Sequence, residues 1–510
     1  MSQFLLGIDT GTSGCKITVI DREGRIVDTN SGEFHTSRPH PGWSEQDPDE
    51  WYDVACRLLR EIWARGACRA EEVAAVGLDA STHNTVLADA DFRPLRPAIM
   101  WTDQRSVCQA AKLEAQAGPE IFRIGYQKPT PTWTLPQLLW VAEHDPDAFG
   151  RVAHLLFTKD YVRRQLTGTW ETDHIDAQGS LLYDMAHRAW SADLCRLAGL
   201  SKDVLPPLVE PTDVVGAVTP AAAEQTGLRA GTPVVAGCSD SAVEGYAAGA
   251  IRPGQMILKL ATAGNVNVMT AKPYPHPRTL TYSHVIPGLW YTVSATNTAA
   301  SAERWFRDVF CQQEKEQAAG EGRSVYERLH EAARHMKPGA EGLFFHPYLL
   351  GERSPYWDAD LRGSFVGATM RHEKPHFVRA LLEGVAYSLL DCFRTIVEMG
   401  LPVEEIRIIG GGAQSDLWTQ ILSDVFARSI VRPAGCDASF GAALLAGVGA
   451  GIFADTTDAA VRCVRVRDVV QPDPRAVEVY ARLFPLYRRI HDDLAPTYAE
   501  LTKSLSELHL

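Results

Sequence analysis

The 510-residue chain has no apolar run as long as the roughly 20 residues that cross a bilayer. Its longest weakly polar stretch, Ala438 to Ala454, is shorter and carries several Gly and Ser residues. The first residues lack a basic segment before their apolar run and soon reach Asp9, which is not the pattern of a signal peptide. We therefore expect a soluble, cytoplasmic protein with no membrane partner.

The ten cysteines form no CxxC pair and have no metal-type spacing with histidine, so we expect free thiols in a reducing compartment. An excess of positive charge is also lacking. The net charge is −13, from 50 Lys plus Arg against 63 Asp plus Glu, without runs of like charge. This excludes nucleic acid as a partner held by bulk charge, and a phosphate-bearing ligand would need local backbone or cationic groups.

Two common nucleotide-binding motifs are absent as well. The chain contains neither a GxxxxGK[ST] P-loop nor a GxGxxG dinucleotide fingerprint. What is present is an ordinary globular composition, 45% hydrophobic and 22% charged, over a length that predicts two large domains.

A glycine-bearing β-hairpin is predicted at the start of the chain. The apolar run Phe4 to Ile8 is followed by DTGTSG and then by an alternating strand that begins at Lys16. Glycines in such a turn let backbone N–H groups approach a phosphate, while Asp9 can hold a hydrated cation and Thr12 can donate a hydrogen bond. The alternative is an ordinary hairpin with a surface aspartate.

A second hairpin of the same kind follows Met256 to Leu260, where Thr262-Ala263-Gly264 repeats the pattern of Thr12-Ser13-Gly14. Two such units about 250 residues apart indicate an internal duplication. Strand and helix patterns also alternate, which favours α/β layering. We therefore predict two α/β domains of similar size, spanning 1–248 and 249–510, the second closed by C-terminal helices.

The segment Val234 to Asp240 (VVAGCSD) places an aspartate after a hydrophobic strand, where open α/β proteins bind ligands. A carboxylate at this position can act as general base for a substrate hydroxyl. The alternative is that Asp240 is a helix N-cap, because Ser241 and Glu244 fit a capping box.

A third glycine turn, Gly410-Gly411-Gly412, lies between an apolar strand and a helix that begins near Ser415. Such a turn can cradle a phosphate or let a nucleotide base lie against the backbone. The Ala- and Gly-rich segment Phe440 to Gly451 is interpreted as a closely packed helix that hinges two domains.

His83, Trp101 and Asp103 lie at the ends of two strand-like segments and supply the polar groups and aromatic face that a sugar site needs. Each also has a structural explanation: a hydrogen-bonded buried histidine, a core tryptophan and an aspartate paired with Arg105. Only convergence on one cleft would favour binding.

Together these motifs resemble the FGGY carbohydrate kinases, a branch of the actin-like ATPase superfamily, from Asp9 to about Gly451. The family's phosphate hairpins match DTGTSGCK and LATAGN, and its adenosine motif matches GGGAQSD. Its interdomain helices match Val76–Ser81 and Phe440–Gly451. Its long C-terminal signature is similar to Gly363–Leu389.

The resemblance implies two actin-like (ribonuclease H-like) ATPase domains with an interdomain catalytic cleft, and ATP and Mg²⁺ as cofactors. Asp9 and Asp240 fall on the catalytic and metal-associated positions, Asp240 as the base. The ATP-binding positions are Thr12, Ser13, Lys16, Thr262, Gly264, Gly411, Gly412 and Ser415. The substrate-binding positions are His83, Trp101, Asp103 and Asp240.

Within the family the segment His284–Trp305 resembles xylulokinases, which implies transfer of the γ-phosphate of ATP to a primary hydroxyl of D-xylulose, giving D-xylulose 5-phosphate. Ser81-Thr82 stands where these enzymes usually have Gln-Met, so ribulose, erythritol, gluconate and related substrates stay open. Gln137 and Ala261 replace a usual lysine and glycine. A non-kinase actin-like ATPase is the other alternative. The sequence leaves the oligomeric state open, a homodimer being the commonest closed assembly.

Overall fold

Two mixed sheets of seven strands form the framework of residues 3–508, the part of the chain that the computed structural model describes. The strands are β1 (Phe4–Thr10), β2 (Gly14–Asp21), β3 (Ile26–Glu33), β4 (Glu45–Gln46), β5 (Val73–Ala80), β6 (Thr85–Ala88), β7 (Ala98–Ile99), β8 (His154–Phe157), β9 (Thr172–Asp173), β10 (Tyr183–Asp184), β11 (Ala189–Trp190), β12 (Leu208–Val209), β13 (Val214–Ala217), β14 (Pro233–Val235), β15 (Cys238–Ser239), β16 (Gln255–Leu260), β17 (Gly264–Thr270), β18 (Leu280–Ser283), β19 (Trp290–Thr296), β20 (Phe344–His346), β21 (Ser364–Val366), β22 (Glu405–Ile409), β23 (Ile430–Ala434) and β24 (Arg465–Val470).

The helices lie mainly between these strands and on the faces of the sheets. They are α1 (Pro48–Arg65), α2 (Val107–Gly125), α3 (Thr134–His144), α4 (Pro146–Phe149), α5 (Thr158–Thr167), α6 (His174–Gln178), α7 (Ala192–Ala198), α8 (Pro220–Thr226), α9 (Asp240–Ala247), α10 (Ala300–Phe310), α11 (Gln312–Glu321), α12 (Val325–Arg334), α13 (Lys374–Glu398), α14 (Asp416–Phe426), α15 (Ala438–Gly449), α16 (Thr456–Cys463) and α17 (Pro474–Glu507).

The two large sheets share one central strand order. The first runs β3-β2-β1-β5-β14 and the second β19-β17-β16-β22-β23, and in each the hairpin is antiparallel while the next strand is parallel to it. The predicted α/β fold is therefore confirmed, and the common order supports the duplication inferred from the two hairpins. The boundary after residue 248 stays a prediction.

The central strands are apolar along nearly their whole length because both faces are covered. Leu5 packs in the cluster that includes Leu444 of α15, whereas Leu6 packs in the cluster that includes Leu58 of α1. Helix α15 thus belongs to the second half of the sequence but covers the sheet of the first half.

Close approach of α15 depends on two glycines in neighbouring strands. Gly7 and Gly77 lie opposite each other in the register, and an added Cβ would overlap the carbonyl oxygen of Ser439 or Ala442. This agrees with the interpretation of Phe440–Gly451 as a closely packed helix. The interdomain helix expected at Val76–Ser81 is wrong, since these residues form the end of buried strand β5 and the residue after it.

The last helix, α17, buries Tyr480, Phe484 and Tyr487 on one side, as expected for the amphipathic C-terminal region. Residues 509–510 of that region lie outside the described residues. None of the described helices has the length and apolar character of a bilayer-spanning segment. All ten cysteines are free thiols, as predicted.

Gly77→Ala is expected to lower the free energy of unfolding by about 1–3 kcal/mol, because the added methyl meets backbone atoms of α15 that cannot rotate away. Denaturant unfolding measures the change. Gly320→Ala is the control, since a Cβ there meets nothing within 4 Å and lies in helix α11, where alanine is favoured. Equal stability of the two variants would contradict the contact.

Candidate active site

Three strands of the first sheet end side by side, and each ends within one residue of an aspartate. Asp9 on β1 lies opposite Asp79 on parallel strand β5, and β15 pairs with the end of β5 immediately before Asp240. Residues that face each other in register lie on the same face of a sheet. The structure thus brings Asp9 and Asp240, the predicted catalytic residues, to one edge of the sheet together with Asp79.

The two structural alternatives for these aspartates do not describe the site. Asp9 is not a surface residue, because its Oδ1 is inaccessible to solvent and has no hydrogen-bond partner among the described residues. Asp240 is not the N-cap of α9, because Ser239 occupies that position. The Asp240 side chain instead accepts a hydrogen bond of 2.6 Å from the backbone N–H of Ser241.

Burial makes these carboxyl groups hard to ionise. Burial, followed by the charge of Asp240, raises the pKa of Asp9 to about 8. Burial and the charge of Glu244 raise the pKa of Asp240 to about 6, against the lowering effect of Lys259. Burial, then Asp9 and Asp240, raises the pKa of Asp79 well above its usual value. A cation at this edge would therefore favour the ionised forms of these carboxyl groups.

Two lysines of the hairpins already have partners from another part of the chain. Lys16, opposite Asp9 on β2, donates to Asp437 Oδ2 at 2.5 Å, and Asp437 is the N-cap of α15. Lys259 on β16 pairs with Glu244 on α9. Each pair links one half of the chain to the other. Both pairs lie beside the sheet edge that holds Asp9, Asp79 and Asp240, which we call the acidic edge.

The loop of the first hairpin is held by side chains from outside it. Trp101 Nε1 donates to Thr12 Oγ1 at 2.8 Å, and Gln46 Nε2 donates to the Thr12 carbonyl at 2.8 Å. Trp101 is also joined to the strand that follows His83, because its backbone N–H donates to Asn84 Oδ1 at 2.7 Å. Thr12 and Ser13 thus lie in a turn that is fixed against the predicted sugar side of the site.

The second hairpin turn is fixed in a comparable way by the start of α10. The Thr262 carbonyl accepts from the N–H of Ala299 at 3.0 Å and from the hydroxyl of Ser301 at 2.7 Å. Gly264 is buried at the start of β17, where an added Cβ would lie 2.8 Å from Leu389. Packing is therefore one reason for this glycine, and its contact with ATP stays a prediction.

The third glycine turn packs directly on the end of β16. An added Cβ at Gly410 or Gly412 would lie 2.5 Å from atoms of Leu260, whereas one at Gly411 would meet nothing within 4 Å. Ser415 caps α14 by accepting from the N–H of Trp418 at 3.1 Å. The structure thus places the predicted adenosine motif next to the second phosphate hairpin, with the open side at Gly411.

His83 is buried, with its backbone in the left-handed region at φ 74°. Its Nδ1 donates to the carbonyl of Gly179 at 2.7 Å, and its ring packs edge-on against Trp133. Burial lowers the pKa of His83 to about 4, although the bond to Gly179 raises it. The neutral ring with a proton on Nδ1 leaves Nε2 as an acceptor for a substrate hydroxyl.

Comparison with known families matches both halves of the chain. The N-terminal domain of the FGGY family of carbohydrate kinases matches residues 4–245, and the C-terminal domain of that family matches residues 259–450. The chain belongs to the FGGY family of carbohydrate kinases. It is therefore an enzyme of the phosphotransferase class, as predicted.

Full-length relatives of the kinase include two proteins of Bacillus subtilis (strain 168). A xylulose kinase is 32% identical over 96% of this chain and 97% of its own, and a gluconokinase is 28% identical over 98% of both. The crystal structure of xylulose kinase from Rhodospirillum rubrum is 30% identical, with a TM-score of 0.87 over 98% of this chain and 100% of that one. The similarity confirms the predicted actin-like fold.

The carboxylate of Asp103 in the kinase is fully hydrogen-bonded by Arg105 and by the backbone of Ser44. Its two oxygens accept from the N–H of Ser44 at 2.6 Å, the N–H of Arg105 at 2.8 Å, and Arg105 Nε and Nη2 at 2.9 and 2.8 Å. These bonds fill the four acceptor sites of a carboxylate. Direct binding of sugar by Asp103 is therefore not supported, and pairing with Arg105, the alternative given by the sequence, describes this residue.

Residues from both halves of the kinase meet beside His83. Gln178, one residue before Gly179, accepts from the N–H of Ser283 on β18 at 3.0 Å and donates to its hydroxyl. Ser241, next to Asp240, shares a hydrogen bond of 3.2 Å with Tyr291 on β19. Sequence reasoning missed these contacts because the partners are far apart in the chain. Asp79 was also missed, although it ends a parallel strand just as Asp9 does.

A buried cation supports the helix that carries Gln178. Lys159 Nζ lies 2.5 Å from Asp160, 2.9 Å from Asp173 and 3.3 Å from Asp176, with all four side chains at most 2% exposed. Asp173 caps α6 by accepting from the N–H of Ile175 at 2.8 Å. This cluster fixes α6, and through it the carbonyl that sets the tautomer of His83.

Proposed function

We propose that the protein is an ATP-dependent kinase that transfers the γ-phosphate to the primary hydroxyl of a ketopentose, converting D-xylulose to D-xylulose 5-phosphate. The observation that carries this proposal is the pair Asp9 and Asp240, held at the ends of two strands that flank β5 in the first sheet. Similarity to xylulose kinases along nearly the whole chain supports the choice of sugar.

Asp240 acts as the general base. With a pKa of about 6 it is ionised at neutral pH and still basic enough to accept the proton of the attacking hydroxyl. Phosphoryl transfer otherwise asks for positioning and charge stabilisation. In a complex with ATP the hairpin turns at Thr12, Ser13 and Thr262, with Lys16, would face the phosphates, and Gly411, Gly412 and Ser415 would lie beside the adenosine. Movement of the two halves toward each other excludes water.

The acidic edge fits a hydrated Mg²⁺. Asp9 Oδ1 is buried without a hydrogen-bond partner among residues 3–508, and burying an unpaired carboxylate is costly. Asp9 would hold the ion, with Asp240 nearby. When bound, Mg²⁺ neutralises charge on the phosphates during transfer.

His83→Asn is expected to raise KM for the sugar by about tenfold, which corresponds to the loss of one hydrogen bond to substrate. Asparagine tolerates the left-handed backbone and can still donate to Gly179, so the variant loses the Nε2 acceptor and the ring contact with Trp133. Steady-state kinetics with each substrate varied measures the effect. Because His83 is neutral above about pH 5, the ratio of KM values should be constant from about pH 6 to 8.

The KM for ATP is the internal control for His83→Asn, and we expect it to be unchanged. A variant with wild-type KM for the sugar would assign His83 to packing against Trp133 alone.

The proposal is tested by sugar-stimulated ADP release with Mg-ATP over D-xylulose, ribulose, erythritol, gluconate and aldoses, with Asp240→Ala run in parallel. We expect D-xylulose to give the highest kcat/KM and the stimulation to vanish in the variant. A higher kcat/KM for gluconate would replace the proposed sugar by the substrate named for the gluconokinase relative. ATP hydrolysis that no sugar stimulates would favour a non-kinase ATPase.

The oligomeric state of the protein stays open. Sedimentation of the purified protein gives its mass, and a homodimer is the commonest closed assembly against which to compare it.

A further inference from the structure

The acidic edge holds more carboxyl groups than its lysines can pair with. The ionisable groups that interact there are Asp9, Asp79, Asp240, Glu244, Asp437 and Lys259, and Lys16 is paired with Asp437. Both lysines are already engaged, one with Asp437 and the other with Glu244. Within residues 3–508, no Lys, Arg or His side chain forms an ion pair with the three remaining aspartates.

Asp79 is the most confined of these three. Its side chain has 0% exposure, and neither carboxylate oxygen has a hydrogen-bond partner among the described residues. Burying such a group without a partner costs several kcal/mol in general, so native proteins rarely leave one unsatisfied. The neighbouring carboxyl group of Asp9 can share a hydrogen bond with Asp79 only while one of the two is protonated, so it does not compensate the ionised form of Asp79.

Asp79 is also correctly placed to share a cation with Asp9. The two residues face each other across adjacent parallel strands, which lie about 4.8 Å apart, and they point to the same face. Asp9 Oδ1 is likewise buried and unpartnered in the described part of the chain. One ion between them would satisfy both carboxylates at once.

We propose that Asp79 is a second protein ligand of the nucleotide-bound Mg²⁺, beside Asp9. This inference rests on the proposed function, which places Mg²⁺ at this edge. Mg²⁺ commonly takes one or two carboxylates and completes its octahedron with water and phosphate oxygens. The pair of carboxylates therefore matches the needs of the ion.

The competing explanation is that Asp79 is a neutral acid buried for packing. Asp79→Asn separates the two, because asparagine has the shape of the protonated acid but is a much poorer metal ligand than a carboxylate. The test is titration of Mn²⁺ into the protein with a non-hydrolysable ATP analogue, with free Mn²⁺ followed by electron paramagnetic resonance. We expect the dissociation constant of Mn²⁺ to rise about 10–100-fold. An unchanged constant would overturn the proposal.

Loss of charge near the site would weaken Mn²⁺ binding even without ligation, and Glu244→Gln measures that effect. This variant removes one negative charge and also frees the charge of Lys259, so it gives an upper limit for the electrostatic contribution. The proposal requires a larger loss in Asp79→Asn than in Glu244→Gln. An equal or smaller loss would overturn it. Asp79→Ser serves if the asparagine variant does not fold, as judged by circular dichroism.

Asp9→Asn separates failure of this inference from failure of the proposed function. If Asp9→Asn weakens Mn²⁺ binding and Asp79→Asn does not, only the role of Asp79 is wrong. If neither variant changes the constant, the metal is bound elsewhere and both proposals fail at this edge.

Discussion

Asp240→Asn is expected to lower kcat by about 10²–10⁴-fold, the usual contribution of a general base, while ATP binds almost as tightly as in the wild type. Asparagine keeps the shape of the side chain and its place at the start of α9. It cannot accept the hydroxyl proton of the sugar. Initial rates of ADP formation and calorimetric titration with ATP give the two quantities.

The pH dependence of the same pair of proteins provides a second readout. Since Asp240 must be ionised to act, the wild-type kcat/KM should fall as pH is lowered through about 6, and the residual activity of the variant should lack this limb. Asp193→Asn is the control, because Asp193 is an exposed aspartate paired with Arg196 and should behave as the wild type. A variant at position 240 with more than about a tenth of wild-type kcat would remove Asp240 from the role of base.

Lys159→Met is expected to lower the free energy of unfolding by about 3–5 kcal/mol at neutral pH, because Asp173 and Asp176 lose their buried cation, whereas Asp160 keeps Arg163. Burial alone would lower the pKa of Lys159, but the charges of Asp160, Asp173 and Asp176 together raise it. Lys159 is therefore charged in the native protein at neutral pH. Denaturant unfolding of both proteins measures the loss.

The sign of the pH effect follows from Asp176, whose pKa is raised to about 8 by burial despite Lys159, which lowers it. Without the lysine that pKa rises further. A carboxyl group with a raised native pKa loses stability as pH increases above its unfolded pKa of about 4. Below about pH 7 the native Asp176 is protonated in both proteins, so this group leaves the deficit of Lys159→Met unchanged there. The deficit should grow as pH rises above about 8, where Asp176 ionises in the wild type but not in the variant.

The exposed pair of Lys112 and Glu143 offers a matched control for Lys159→Met. Lys112→Met breaks an ion pair of 3.1 Å on the surface and should change stability by less than about 1 kcal/mol. Similar losses in the two lysine variants would show that burial of the Lys159 cluster contributes nothing.

Features that depend only on a short stretch of sequence could be predicted. The two hairpins, the aspartates at the ends of β1 and β15, and the glycine turn before α14 each depend on residues close together in the chain. Their patterns of apolar runs, glycines and terminal carboxylates reflect backbone constraints that act locally.

Features that depend on distant packing could not be predicted in the same way. The resemblance implied a helix at Val76–Ser81, but these residues belong mainly to a buried strand. The pairing of that strand with β1 decides between the two structures. Asp103 accepts one of its four hydrogen bonds from the backbone N–H of Ser44, which is 59 residues away in the sequence. Gln178 accepts from the backbone N–H of Ser283, which is 105 residues away.

The position of α15 has a consequence for synthesis of the chain. The last strand of the first sheet ends at Ser239, whereas the helix that covers one face of this sheet begins at Ala438. At about 5–20 residues per second, the roughly 200 intervening residues take about 10–40 s to add. During that interval we expect the apolar face around Leu5 and Ala75 to stay uncovered in the nascent chain, which is the kind of surface that aggregates or binds chaperones.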